Sequence, residues 1–189
     1  MCGIVGYVGN QDAEPVLLEG LRRLEYRGYD SAGLVSLAVE KQQAQLHLRK
    51  KTGRIANLAK LCREQPAPGF TGISHTRWAT HGPANDRNAH PHTSNNGLIA
   101  LVHNGVIENY ATLRRQLISE GITFHSDTDT EVVAQLMGQF LERAQAANAS
   151  LSTQDFLDAF RRTLGMLKGT YGLAVVSPLF PGMILGARL

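Results

Sequence analysis

A cysteine at position 2 can supply a nucleophile and its base from one residue. Cysteine is small enough for aminopeptidases to remove the preceding Met1, which leaves Cys2 with a thiol and a free α-amine. Reference pKa values are about 8.5 for a thiol and about 7.7–8.0 for an α-amine, so proton transfer between the two is nearly thermoneutral. No distant histidine is then needed to activate the sulfur. A free cysteine in a buried first strand is more often an inert core thiol, and position alone favours that reading until the rest of the constellation is added. Glycines at 3, 6 and 9 let the backbone near Cys2 approach a ligand or another segment closely. Their spacing inside an apolar strand matches no nucleotide-binding fingerprint. His90 and His92 flank Pro91 without a cysteine or carboxylate at ligand spacing, so neither a metal nor a cofactor is expected. The pair reads instead as hydrogen-bonded support beneath a site. Cys62 shares a predicted helix face with Leu58 and reads as an inert core thiol.

The elements that must position this chemistry are marked by periodicity and punctuation. Short apolar runs bounded by glycine predict strands near 4–8, 34–39, 72–76, 98–102, 173–176 and 183–187, and alternation predicts another over 45–48. Leu17, Leu21 and Leu24 recur at helical spacing, as do Val132, Val133, Leu136, Met137, Phe140 and Leu141. Thr128 and Glu131 form a capping-box pattern at the start of the latter helix. Ser152 and Asp155 repeat the pattern before a helix that carries Phe156, Phe160 and Leu164 inward. Weaker helical patterns cover 55–62 and 110–119, and the alanine-rich stretch 144–150 reads as a helix end. Strands bunched at both ends with helices between them predict an α+β sandwich rather than a doubly wound parallel sheet.

Composition bounds the class. The chain has 189 residues, 43% hydrophobic and 19% charged, which suits one globular domain with a substantial core. No apolar run approaches the roughly 20 residues needed to cross a bilayer, and the start lacks the basic and apolar stretches of a secretion signal. Two cysteines build no disulfide framework, so a cytoplasmic location is expected. A net charge of +3, with basic residues scattered apart from Arg49-Lys50-Lys51, gives no sign of a nucleic-acid or membrane partner.

Beginning with Cys2-Gly3-Ile4-Val5-Gly6, the chain resembles the class II glutamine amidotransferases, enzymes with an N-terminal nucleophile. The tracts Leu24-Glu25-Tyr26-Arg27-Gly28-Tyr29-Asp30-Ser31-Ala32-Gly33 and Ser74-His75-Thr76-Arg77-Trp78-Ala79-Thr80-His81-Gly82 narrow the match. So do Asn88-Ala89-His90-Pro91-His92, His103-Asn104-Gly105-Val106-Ile107-Glu108-Asn109 and Ser126-Asp127-Thr128-Asp129-Thr130-Glu131. These ordered blocks are similar to the glutamine–fructose-6-phosphate aminotransferase branch of the family. The resemblance implies a four-layer αββα sandwich of the N-terminal nucleophile hydrolase type, and hydrolysis of L-glutamine through a thioester on Cys2.

The resemblance also implies roles for individual residues. Arg77 binds the α-carboxylate of glutamine, with Thr80 and His81 completing that end of the pocket; guanidinium donors suit a planar carboxylate. Asp129 takes the α-ammonium group, although an aspartate in a helix's first turn is stabilising without any ligand. Asn104 and Gly105 form the oxyanion hole, while a bland reading of Asn-Gly is a tight turn between two elements. Trp78 gates the departing ammonia. The family's chains extend further, with more strands in this domain and a sugar-phosphate isomerase part beyond it. Residues 1–189 therefore read as a glutaminase domain truncated at its C-terminus, acting on glutamine alone unless a synthase polypeptide is supplied in trans. Two rivals are the amidotransferase domain of another acceptor system, such as purine biosynthesis, and an inactive remnant that binds glutamine without turnover.

Overall fold

Two antiparallel sheets of four strands pack face to face in the computed structural model, which describes residues 2–41, 43–79, 82–148 and 150–189. The first sheet has the order β1-β4-β2-β3, built from β1 (Gly3–Val8), β2 (Ser31–Glu40), β3 (Gln43–Thr52) and β4 (Thr71–Arg77). The second has the order β5-β6-β7-β8, from β5 (His92–Thr93), β6 (Ala100–Ile107), β7 (Gly169–Val176) and β8 (Leu185–Arg188). Helices α1 (Ala13–Leu24) and α2 (Ile55–Glu64) cover the outer face of the first sheet. Helices α3 (Tyr110–Ser119), α4 (Asp129–Ala147) and α5 (Thr153–Met166) cover that of the second. The result is the expected αββα layering.

The period of two along each strand sorts residues between layers. In β2, Ala32 and Leu34 face the helices, while Val35 and Leu37 face the other sheet. In β6, Leu101 packs under α4 and α5 while Ala100 and Val102 meet the first sheet; Leu173 and Val175 against Ala174 and Val176 repeat this in β7. In β6 and β7 the smaller side chains face the first sheet and larger ones fill the space beneath the helices. Gly33 on β2 is pressed so closely against the His90 carbonyl that an added Cβ would lie 2.1 Å from its oxygen.

The helices begin where the residues say they should, with one correction. Ser152 and Asp155 form a complete capping box on α5. At α4 the Thr128 hydroxyl accepts from the Glu131 N–H, but the Glu131 carboxylate does not turn back to Thr128. It accepts instead from the backbone N–H groups of His125 and Ser126 and from the Ser126 hydroxyl. Ser126 is buried there and must satisfy its donors, which outcompetes the local box. Phe156 of α5 is 0% exposed and stacks on Phe180 with ring centroids 4.8 Å apart. Phe156→Ala is expected to destabilise the fold by about 3–5 kcal/mol, read as a lower urea midpoint with unchanged m-value.

Three further observations bear on the sequence reading. Cys62 is buried, and burial followed by the nearby Glu14 carboxylate pushes its thiol up to about 11, so it stays protonated and inert at neutral pH. No described helix is long and apolar enough to cross a membrane. The bland reading of Asn104-Gly105 as a tight turn is overturned. Strand β6 runs straight through it to Ile107, with Asn104 opposite Gly172 and Gly105 opposite Tyr171. Gly105 has φ +126°, and an added Cβ would lie 2.1 Å from the Thr170 oxygen. Cross-strand pairing, absent from any local window, keeps the chain extended there while only glycine fits.

Candidate active site

Register brings the reactive ends of three strands together. Gly3 pairs with Thr76 and Ser31 with Arg77, so β4 ends between Cys2 and Asp30. Beneath them, β6 presents Asn104 and Gly105, and the first turn of α4 presents Asp129. Cys2, Arg77, Trp78, Asn104, Gly105 and Asp129 all line one cleft of about 350 Å³. That size and its mixed lining suit a small molecule. Thr80 and His81, the other two expected binding residues, lie outside the described residues.

Cys2 Sγ accepts a hydrogen bond from the Trp78 backbone N–H at 3.2 Å. The donor is held by Asp30. Its carboxylate accepts from the Ser31 hydroxyl at 2.8 Å and from the Ala79 N–H, and its own N–H donates to the Arg77 carbonyl at 2.8 Å. Asp30 thereby fixes the backbone turn 77–79, a role that its place in the Arg27-Gly28-Tyr29-Asp30 tract gave no means of reading. The Trp78 ring is 56% exposed at the rim.

Arg77 is only 4% exposed, and its guanidinium donates to the carbonyls of Pro83 at 3.3 Å and Gly82 at 3.4 Å. Burial lowers its pKa, opposed by the carboxylate of Asp30, 4.0 Å away, and by Cys2 and Asp129. A guanidinium keeps its charge regardless. A buried guanidinium lining the cleft suits an incoming planar carboxylate. Asp129 is equally buried. Its Oδ2 accepts from the Ile107 N–H at 2.9 Å and lies 4.0 Å from His103 Nδ1, tying α4 to β6. Asp129 therefore fastens the helix start to β6 and also lines the cleft.

Behind the cleft lies a cluster of buried imidazoles. His75 and His90 stack at 4.3 Å, and His90 meets His92 edge-on at 4.9 Å. The His103 N–H donates to His90 Nδ1 at 3.3 Å, and Thr128 Oγ1 and His92 Nε2 share a hydrogen bond of 3.1 Å. Burial, reinforced by neighbouring imidazoles and Arg77, depresses His75 to about 3 and holds His90 well below the usual histidine range. His92 is also held well below that range, by burial and then by Lys50 and Arg77. All three rings are neutral at physiological pH. His90 and His92 are thus hydrogen-bonded supports under the site. His75, which the sequence reading assigned no role, is bonded through Nε2 to Asn104 Oδ1 at 2.7 Å. Among the described residues, no three of His, Cys, Asp and Glu converge as metal ligands.

A thiol, a buried cation and a buried carboxylate around one small cleft can hold a zwitterion against a nucleophile. Comparison with known proteins points the same way. Residues 62–149 match the family described as a glutamine amidotransferase domain. The whole chain is 47% identical over 188 residues to glutamine–fructose-6-phosphate aminotransferase (isomerizing) of Caldanaerobacter subterraneus subsp. tengcongensis, of which it covers 28%. It is 49% identical to the Photorhabdus laumondii enzyme of that name, covering 29%. The chain thus spans under a third of the length of the curated relatives it matches. Among solved structures, the glutamine phosphoribosylpyrophosphate amidotransferase of B. subtilis superposes with a TM-score of 0.75 at 27% identity, over 100% of this chain and 37% of that one. An allosteric regulatory enzyme of purine biosynthesis gives 0.74 at 29% identity, over 94% and 36%.

Proposed function

We infer, from the premise that the chain is a glutamine amidotransferase domain, that it hydrolyses L-glutamine to L-glutamate and ammonia through a γ-glutamyl thioester on Cys2. The observation that carries this reading is the convergence of Cys2, Arg77, Asn104 and Asp129 on one cleft. Arg77 takes the α-carboxylate of the substrate and Asp129 its α-ammonium, with Thr80 and His81 completing the pocket. Held at both charged ends, the amino acid has its side-chain amide aimed at the sulfur, and fixing that approach is a large part of the rate advantage.

Once Met1 has been removed, the Cys2 α-amine accepts the thiol proton and the thiolate attacks the amide carbon. Negative charge collects on the amide oxygen, where the Asn104 carboxamide and the Gly105 N–H stabilise it. The ammonium proton then passes to the leaving nitrogen as the C–N bond breaks, and ammonia departs past Trp78. Water, deprotonated by the same amine, attacks the thioester. The C–S bond breaks, glutamate is released, and the thiol is regenerated.

Delivery of the ammonia to fructose 6-phosphate is proposed on the names of the relatives that match at 47–49% identity. It requires a synthase part, in the same chain or in trans. The purine-type amidotransferases resemble the chain at 27–29%, which makes that acceptor system the weaker reading. The test is glutamate release from L-glutamine by purified protein whose N-terminus is shown by mass spectrometry to be Cys2. Turnover is expected with L-glutamine and not with L-asparagine, whose amide falls one methylene short of the sulfur. A processed, folded protein that binds glutamine but forms no glutamate would overturn the reading.

A further inference from the structure

We propose that His75 is a positioning residue, which orients the Asn104 carboxamide so that its N–H, rather than its oxygen, faces the substrate oxygen on which charge develops when Cys2 attacks. The inference rests on the glutamine-hydrolysing reading above and adds to it a specific source of oxyanion-hole geometry.

A side-chain amide used as an oxyanion donor has a built-in ambiguity. Its NH₂ and its oxygen are nearly the same size, and rotation by half a turn exchanges them. In one orientation Asn104 stabilises a developing negative charge; in the other it repels it. Strand β6 fixes where Asn104 sits without fixing which way its amide turns. Two neighbours supply that choice. His75 Nε2 lies 2.7 Å from Asn104 Oδ1, and Asn104 Nδ2 rests 3.5 Å from the Cys2 carbonyl oxygen. The amide is thus gripped at both ends across the two sheets, by β4 and by the residue just before β1.

The ring can act in this way because it has a single proton and one useful place for it. His75 is 0% exposed and stacked on His90, and burial keeps it neutral, so only one nitrogen carries hydrogen. Asn104 Oδ1 can only accept, which puts the proton on Nε2. Nδ1 has no hydrogen-bond partner among the described residues. Turning the amide over would set Asn104 Oδ1 against the Cys2 oxygen with no hydrogen between them. It would also drive the ring proton to Nδ1. The His103 backbone carbonyl favours a proton on the ring and is the acceptor such a tautomer would seek, yet Nδ1 makes no bond to it. The Nε2–H tautomer and the productive amide orientation therefore select each other.

Two measurements decide the matter. Long-range ¹H–¹⁵N correlation spectra of the wild-type imidazoles, assigned by loss of one spin system in His75→Gln, are expected to show His75 as the Nε2–H tautomer. An Nδ1–H tautomer would overturn the proposal whether or not the protein turns over, so this arm is independent of the functional reading. In the assay, His75→Leu is expected to lower kcat about 10²-fold with KM within about twofold, because the donor matters only once charge develops. His75→Gln, whose amide N–H can reach the same oxygen, is expected to recover most of that loss. Added to Asn104→Ala, His75→Leu should produce little further loss, since the two act through one hydrogen bond. Equal fold-losses in both backgrounds, or a loss confined to KM, would reduce His75 to a packing residue. If His75→Leu fails to fold, the wild-type tautomer and the His75→Gln kinetics still decide.

Discussion

Cys2→Ala is expected to abolish glutamate release, a fall of about 10⁴-fold or more in kcat, while glutamine binding stays within a few-fold of the wild type. The asymmetry follows from the division of labour in the cleft. The groups proposed to grip the substrate, Arg77 and Asp129, are held by Gly82, Pro83, Asp30 and Ile107, none of which needs the sulfur. Removing the thiol should leave the pocket standing and take away only the atom that forms the thioester. Cys62 offers no substitute, since it lies in the separate core beneath α1 and α2 with its thiol pushed up to about 11. Isothermal titration with L-glutamine beside the glutamate assay checks both halves. Residual turnover within about tenfold of the wild type would remove Cys2 from the mechanism.

Mild acid is expected to unfold the domain well before its carboxylates are neutralised. His75, His90 and His92 are buried and neutral, with folded-state pKa values depressed from the usual 6.5, to about 3 for His75. Below pH 6.5 the unfolded chain binds protons on these rings and the folded chain does not. Stability fully present above pH 6.5 therefore drains away as the pH falls toward the folded values. For His75 the slope is about 1.4 kcal/mol per pH unit, which removes about 2 kcal/mol by pH 5, and His90 and His92 act in the same direction. A typical domain has about 5–15 kcal/mol in total. Urea unfolding at pH 7.5 and pH 5.0 checks this, with a large drop in midpoint expected at the lower value. An unchanged midpoint would mean that the rings accept protons in the folded state. The same cluster touches Asn104 through His75, so activity should be lost with structure rather than by titration of one catalytic group.

Much of this molecule is local and can be read from the chain. Leu17 and Leu21 predict the buried stripe of α1, Ser152 and Asp155 predict the start of α5, and the glycine-bounded apolar run within β2 predicts a strand. These depend on periods and caps a few residues long. A thiol beside a potential α-amine is likewise visible at Cys2 from one position in the sequence. Arg77, Asn104, Gly105 and Asp129 could be nominated through the blocks that carry them, and all four do line the cleft.

What could not be read depended on partners far away in the chain. The two-residue strand β5 exists only because His92 and Thr93 meet Leu101 and Ala100, and Asn104-Gly105 is strand rather than turn because β7 lies alongside. Asp30 gains its role by reaching Ala79, and His75 by reaching Asn104. Such contacts leave no periodicity, since sheet pairing and layer packing join residues dozens of positions apart. The sequence by itself determined the kinds of groups available and the elements that carry them. Only the tertiary structure decided which groups touch and which way each hydrogen bond points, because those follow from register and burial, which no local stretch of chain contains.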